Sequence, residues 1–165
     1  MSNTGNLKVE ARGDHEVVFT RTFDAPAALV FDAHTKPELV KRWMLGPEGW
    51  TMPVCEIDLR VGGTYRYVWR HPKKGEMGLG GTFREIARPH RIVHTEKFDQ
   101  PWYPGEAVVT TLFEEQGGKT TMTMVMWLES KEGRDGVLKS GMETGMETSY
   151  QRLDAIVAEQ LAGKK

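Results

Sequence analysis

The sequence predicts an α+β domain built around an antiparallel sheet, and three features of the chain point to it. Six segments with strand composition follow one another between residues 54 and 128, with no long helix among them. Consecutive strands joined by short turns pair antiparallel rather than parallel. One strand and two short helices precede this series, and a long helical pattern follows it.

The domain is expected to span residues 17–163, because residues 1–16 are polar and are predicted to be a lead-in. Its first strand carries three apolar side chains and one arginine on the same face: Val17, Phe19, Phe23 and Arg21. Ala25-Pro26 ends that strand, and short helices are expected at residues 27–33 and 37–43, the second with proline in its first turn.

The six later strands are separated by glycine-rich turn signals. They are expected at residues 54–59, 64–70, 81–87, 91–98, 108–115 and 120–128. Gly62-Gly63 marks one turn, and Gln-Gly-Gly-Lys at 116–119 suits a hairpin loop. The segment HPKKGEMGLGG at 71–81 is expected to be a flexible connection.

A helix is expected from Ser130, as its N-cap, to Leu161, with apolar residues at steps of three and four. Within it, GMETGMETS at 141–149 places two glycines, each of which costs about 0.5–1 kcal/mol relative to alanine in a helix interior. Two interpretations remain open. The missing side chains allow close packing, or they leave a cavity beside the flexible Met142 and Met146.

Composition limits the functions available to this chain. Apolar residues at 39% and charged residues at 27% of 165 are typical of a globular domain. A net charge of −1 supplies no field that would attract nucleic acid or an anionic membrane. No apolar run approaches the ~18 residues of a membrane span, and no signal peptide is evident. Cys55 is the single cysteine, which favours a reducing, cytoplasmic compartment.

Four segments together resemble one family. They are FTRTFDAP at 19–26, ELVKRWMLGPEGW at 38–50, CEIDLRVGGTYRYVWR at 55–70 and GMETGMETSYQRLD at 141–154. They are similar to the START-like (SRPBCC) superfamily, in the branch named for the activator of heat-shock protein 90 ATPase homologue. The resemblance implies a helix-grip fold, in which a curved antiparallel sheet wraps around a long C-terminal helix and a deep cavity commonly lies between them.

Large, soft side chains from several elements would line that cavity. The residues predicted to bind a ligand are Trp43, Trp50, Tyr67, Trp69, Met122, Met124, Met126, Met142 and Met146. Methionine and aromatic side chains suit an apolar ligand of no fixed shape. Ordinary core packing produces the same stripes and is the alternative. The two tryptophans that flank MLGPEGW are candidates either for a gate or for anchors of the short helices.

Charged residues on the same faces are candidates for an internal polar group, predicted as Arg21, Glu56, His94 and Glu96. An arginine on an apolar face needs an acidic partner. The candidate partners are carboxylates of neighbouring strands, namely Glu56, Asp58, Glu85 and Glu96. His94 and Glu96 alternate onto one strand face and are the best candidate pair. Histidine spacing matches no metal motif, so no metal or cofactor is expected.

Three functions are compatible with these features. The first is binding of a small hydrophobic or aromatic molecule, favoured because no catalytic constellation is recognisable. The second is a cyclase- or hydrolase-like enzyme using the same cavity, which a carboxyl or histidine with a strongly shifted pKa would favour.

The third function, implied by the resemblance, is stimulation of a heat-shock protein 90 ATPase in a stress response. It ranks last, because the co-chaperone that the chain resembles carries a further N-terminal domain that residues 1–16 are too few to replace. The partner would then be the chaperone rather than a small molecule. The aromatic loop WYPG at 102–105 leaves a monomer and a homodimer equally open.

Overall fold

A computed structural model describes residues 5–163 of the chain. Its strands are β1 (Gly5–Arg12), β2 (Glu16–Phe23), β3 (Thr51–Ile57), β4 (Thr64–His71), β5 (Gly75–Ala87), β6 (Arg91–Phe98), β7 (Ala107–Gln116) and β8 (Lys119–Trp127). Its helices are α1 (Ala27–Thr35), α2 (Pro37–Trp43), α3 (Lys131–Lys139) and α4 (Met142–Gly163). Over this range the strands form one antiparallel sheet in the order β1-β2-β8-β7-β6-β5-β4-β3.

The sheet curves around α4, which confirms the α+β helix-grip fold. β2, near the start of the chain, pairs with β8, the last strand in the chain. The helices that follow these two strands therefore meet on the inner face of the sheet. The main core lies there, between sheet and helices, and its fully buried members include Phe23, Val40, Phe113 and Leu153. The expected inward face of the first strand, including Arg21, is buried as well.

The predicted polar lead-in contains a strand, so the sheet begins at Gly5 rather than at residue 17. β1 pairs antiparallel with β2, and its Leu7 and Val9 are half-buried. The sequence carried the signal, because apolar and charged residues alternate through LKVEAR at 7–12. Residues 1–4 of the lead-in lie outside the described part of the chain.

The glycine-rich segment predicted as a flexible connection belongs mostly to β5, which runs for 13 residues between β4 and β6. Its glycines permit close approach of neighbouring backbones rather than disorder. A Cβ added at Gly81 would collide with the carbonyl group of Thr95 on β6. No residue other than glycine therefore fits this point of the strand.

The predicted long helix is broken into two. Ser130 is the N-cap as expected, and its hydroxyl accepts a hydrogen bond from the Gly133 amide at 3.0 Å. Gly141 has φ of +76°, the left-handed region that favours glycine, and it separates α3 from α4. Gly145 lies inside α4, where a Cβ would come within 3.1 Å of Pro47. The two glycines thus have different roles, the first as a helix break and the second as a close contact.

The aromatic loop before β7 is only partly exposed. Trp102 is 43% exposed, but Tyr103 is buried and belongs to the core cluster around β7 and β8. The oligomeric state stays a prediction. Across residues 5–163, no helix has the length and apolar character needed to cross a membrane.

Candidate functional site

A cavity of about 540 Å³ lies between the inner face of the sheet and the helices. Side chains of β4 to β8 form its floor, and the residues around the α3–α4 junction, with the start of α4, lie above it. The α2–β3 loop at residues 44–50 closes one side. This volume falls within the range of small-molecule pockets.

Most of the residues predicted to bind a ligand line this cavity. They are Trp43, Trp50, Tyr67, Trp69, Met124, Met126, Met142 and Met146. Met122 does not line it: this side chain is fully buried in the core with Phe23 and Phe113. The difference follows from register, because Met122 lies opposite Arg21 on β2, nearer the start of β8 than the residues that line the cavity. Ligand binding by the lining residues stays a prediction.

Two tryptophans of the cavity wall are fixed by hydrogen bonds, Trp43 to α1 and Trp69 to the start of the α2–β3 loop. The Trp43 indole N–H donates to the Ala33 carbonyl at 2.9 Å, and the Trp69 indole N–H donates to the Met44 carbonyl at 2.7 Å. Trp43 also stacks on Tyr150 of α4, with ring centroids 5.5 Å apart. Their polar atoms are committed to the protein, so these side chains present aromatic surface to the cavity.

Arg21 is outside the cavity and has partners other than those expected. Its side chain is 0% exposed and forms ion pairs at 2.8 Å with both Glu147 and Asp154 of α4. Burial lowers the pKa of Arg21, but hydrogen bonds to the two carboxylates outweigh it and raise the pKa overall. Hydrogen bonding to Arg21 lowers the pKa of Glu147. The expected partners on neighbouring strands were wrong, because α4 packs its acidic residues against β2.

Glu56 is also wrong as a member of the internal polar group. It is exposed on β3, opposite Arg66 of β4. Alternation in β3 places the half-buried Cys55, rather than its acidic neighbour, toward the core cluster. The two remaining candidates, His94 and Glu96, both line the cavity.

The ring of His94 is fixed by Tyr65 and by the backbone of β6. The Tyr65 hydroxyl donates to the Thr95 carbonyl at 2.6 Å, across Gly81 of the intervening strand. His94 Nδ1 lies 3.1 Å from that hydroxyl oxygen and 3.1 Å from the same carbonyl oxygen. Because the single hydroxyl proton is already donated, Nδ1 carries a proton and Nε2 is left as an acceptor. Burial lowers the pKa of His94, so the ring is neutral at pH 7.

Glu96 has a carboxyl group without a charged partner. Tyr103 donates to its backbone carbonyl at 3.4 Å, and no arginine or lysine of the described residues forms an ion pair with its side chain. Burial raises the pKa of Glu96 to about 7. Hydrogen bonding from the Tyr103 side chain lowers the pKa of Glu96 in part, but burial outweighs it. Glu96 and His94 lie two residues apart on one strand face and both line the cavity, so the cavity contains the carboxyl group and the Nε2 acceptor.

Sequence reasoning missed the aromatic and histidine residues brought in from α1 and α4. His34, expected at the surface or in packing, lines the cavity, and its Nδ1 donates to the Val30 carbonyl at 2.8 Å. Its buried Nε2 has no hydrogen-bond partner within residues 5–163, and burial lowers its pKa to about 4. Tyr150 of α4 is another lining residue. No local pattern marks either residue, because tertiary packing alone brings them to the cavity.

The arrangement offers an apolar chamber with a small polar region. Hydroxyl groups of Tyr67, Thr111 and Tyr150 supplement the acceptors of His94 and Glu96. Such a region can bind a ligand head group or move a proton. No cluster of three or more metal-ligating side chains occurs in the part of the chain that the structure describes.

Comparison with protein families gives one clear match. The sequence model of the family described as "Activator of Hsp90 ATPase homolog 1-like protein" matches residues 24–158, most of the chain. No curated protein matches the sequence.

Solved structures of similar fold cover nearly the whole chain. A crystal structure of a protein from Rhodobacter sphaeroides is 31% identical, has a TM-score of 0.87, and the match covers 93% of this chain and 98% of that one. A solution structure from Staphylococcus epidermidis is 26% identical with a TM-score of 0.78, covering 92% and 94%. An HSP90 activator from Plasmodium falciparum is 22% identical with a TM-score of 0.64, covering 87% and 96%, a likeness of fold alone.

Proposed function

This chain belongs to the activator of Hsp90 ATPase homolog 1-like family of START-like proteins, and we propose that it binds a small, largely apolar molecule in the cavity between its sheet and α4. The observation that carries the proposal is the cavity itself, with about 540 Å³ of space and walls of aromatic and methionine side chains. A tightly packed core leaves few voids larger than a water molecule, so this volume exceeds a packing defect.

The chemistry of the walls supports an apolar ligand. Methionine side chains at Met124, Met142 and Met146 adapt to different shapes, and Trp43 and Trp69 add broad, fixed aromatic surfaces. Burial of apolar surface is the main source of affinity in such pockets. The small polar region then orients the ligand rather than supplying most of the affinity.

Isothermal titration calorimetry with methylnaphthalene and naphthylmethanol tests the proposal. We expect both probes to bind the wild-type protein, and Met146→Trp to weaken each by about tenfold or more, because the larger side chain fills the cavity. Val61→Trp is the matched control, since Val61 is 63% exposed and lies outside the cavity. Absence of binding to the wild type, or equal affinity in Met146→Trp, would contradict the proposal.

The natural ligand can be identified by native mass spectrometry of protein purified gently from its own host. Denatured extracts of the same preparation reveal what the folded protein retained. We expect a mainly apolar molecule small enough for the cavity. A large polar molecule such as a nucleotide would contradict the proposed chemistry of the walls.

A second candidate is an enzyme that uses the same cavity, and Glu96 favours it. A carboxyl group with a pKa of about 7, raised by burial, suits general acid–base catalysis at neutral pH. The test is incubation with metabolites extracted from the host, with the wild type compared to Glu96→Gln. Consumption of a metabolite in excess of the protein concentration, lost in the variant, would establish catalysis. Retention without turnover would favour binding alone.

A third candidate is stimulation of a heat-shock ATPase, and the family description favours it. The assay is ATP hydrolysis by the host's own chaperone, with this protein added in stoichiometric amounts. An increased rate would place this function first, and an unchanged rate would leave the cavity as the functional site.

A further inference from the structure

The charges around the cavity are strongly one-sided. Among the residues described, no lysine or arginine lines it, and Glu96 is the one carboxylic acid that does. The buried Arg21 lies outside the cavity, and its guanidinium group is already paired with Glu147 and Asp154. A carboxylate or phosphate ligand would therefore find no cation to neutralise it.

The hydrogen-bonding groups of the cavity also favour a cationic ligand. His94 offers Nε2 as an acceptor, because its Nδ1 proton faces the Thr95 carbonyl and the Tyr65 hydroxyl oxygen. The Glu96 carboxylate offers further acceptors from the same strand face. A carboxylate and a ring nitrogen that both accept hydrogen bonds are matched by a head group that carries several hydrogens, as an ammonium group does.

The aromatic walls beside these acceptors also suit a cation. Tyr65 and Tyr67 lie with ring centroids 5.1 Å apart, and Tyr67 and Trp69 with centroids 5.8 Å apart. Both tyrosines line the cavity together with Glu96. The faces of such rings attract ammonium groups, and the attraction is stronger away from bulk water.

We propose that the cavity selects apolar molecules bearing a protonated amine, with the ammonium group bound between the Glu96 carboxylate and the Nε2 of His94. This inference rests on the proposed function, because it names the head group of the molecule that the cavity holds. The apolar part of the molecule would contact the methionine and tryptophan walls described above.

Four probes with one carbon skeleton test the inference by calorimetry: naphthylmethylamine, naphthylmethanol, naphthoate and methylnaphthalene. At pH 8 we expect the amine to bind about 10- to 100-fold more tightly than the alcohol, the range expected for a charge-assisted hydrogen bond. Naphthoate should bind most weakly of the four. Glu96→Gln should remove the preference for the amine over the alcohol.

The affinity for the amine should also depend on pH. Ionisation of Glu96, with its pKa of about 7, should raise that affinity by about tenfold between pH 6 and pH 8, while the alcohol is unaffected. Burial disfavours the charged form of each of the other titratable groups that face this region. It lowers the pKa of His34 to about 4, also lowers that of His94, and raises the pKa of Tyr65, Tyr67, Tyr103 and Tyr150 above the interval.

Glu10→Gln is the matched control, since Glu10 is an exposed carboxylate on β1 that does not line the cavity and should not affect any probe. Equal binding of amine and alcohol at pH 8, tighter binding of naphthoate, or an amine preference that survives Glu96→Gln would overturn the inference. In those cases binding of methylnaphthalene would leave the proposed function standing. If no probe binds, both the inference and the proposed function fail.

Discussion

Arg21 and Glu96 are both ionisable residues on the inner face of the sheet, but their surroundings are opposite. Arg21 has two carboxylates within 2.8 Å, and Glu147 also accepts the Leu7 amide at 2.9 Å. Glu96 has no ion pair among the described residues and faces a cavity. The first group joins three elements, since Leu7 is on β1, Arg21 on β2 and the carboxylates on α4.

The pairing of Arg21 stabilises the fold, whereas the unpaired charge of Glu96 does not, and this distinguishes a structural group from a candidate functional group. A buried charge with complete pairing supports the fold once it is present, because removing one partner strands the other. A buried carboxyl without a partner destabilises its own ionised form. The fold gains nothing from Glu96 at neutral pH, whereas a ligand that supplies the missing partner gains affinity there.

Replacement of Arg21 should give the largest effect. Arg21→Met keeps an apolar side chain of similar length but leaves Glu147 and Asp154 without their partner. Because these carboxylates are partly exposed, we expect a loss near the lower end of the range for broken buried pairs, about 3 kcal/mol in the free energy of unfolding. Urea denaturation monitored by circular dichroism measures it.

Arg12→Met provides the control for that experiment. Arg12 is exposed and pairs with Glu16 four residues away, so water screens the interaction and its loss should affect stability far less. A loss for Arg21→Met as small as that of the control would show that the paired cluster does not hold α4 to the sheet.

Replacement of Glu96 should change stability in the opposite direction. Folding raises its pKa from 4.5 to about 7, so the folded state holds the proton more tightly. The contribution of Glu96 to the free energy of unfolding is fully present below about pH 4.5 and is lost as the pH rises through 7. Glu96→Gln avoids this loss, which corresponds to ~3 kcal/mol at pH 8 for the full change in pKa. Because the Glu96 residue is half-buried, we expect the variant to be more stable than the wild type by about 2 kcal/mol at pH 8, with little difference near pH 4.5.

The two buried histidines act in the opposite sense over an overlapping range. Burial lowers the pKa of His34 to about 4 and also lowers that of His94, so their contribution to stability increases as the pH rises toward 6.5. Subtraction of the wild-type pH profile from that of Glu96→Gln removes this background. A difference that does not vary with pH would mean that Glu96 is already solvated or paired, and the control variant Glu10→Gln should match the wild type at every pH.

The sequence predicted the sheet and the cavity walls because both depend on local alternation. Alternation in β8 put Met124 and Met126 on the inner face, and alternation in β6 put His94 and Glu96 together. Only register and chain path decide where a face ends. Met122 therefore fell outside the cavity although it shares the stripe.

Contacts between residues of distant elements could not be predicted from the sequence. The carboxylates that pair with Arg21 lie more than 120 residues away on α4, and they are not part of its apolar stripe. His34 reaches the cavity through packing of α1 against the sheet, and no spacing announces it. The helix break at Gly141 was hidden because an apolar stripe with period 3.6 continued on both sides.

The smallest effect concerns the side of the cavity where α4 meets the α2–β3 loop. There Gly145 lies against Pro47, and the Gly46 amide donates to the Ser149 hydroxyl at 2.7 Å. Gly136 of α3 has open space around it and is the matched helical glycine. Gly136→Ala should stabilise the fold by about 0.5–1 kcal/mol, the usual gain for alanine in a helix.

Gly145→Ala should gain less than Gly136→Ala in the same urea titration, because its Cβ would lie 3.1 Å from the Pro47 ring and the loop must move. An equal gain in the two variants would mean that the loop yields without resistance. The cavity would then be closed on that side by a movable segment, whereas the ion pairs of Arg21 hold the rest of α4 in place. A smaller gain would show that the contact of α4 with the α2–β3 loop is as rigid as its ion pairs with Arg21. A ligand would then reach Glu96 from another side of the cavity.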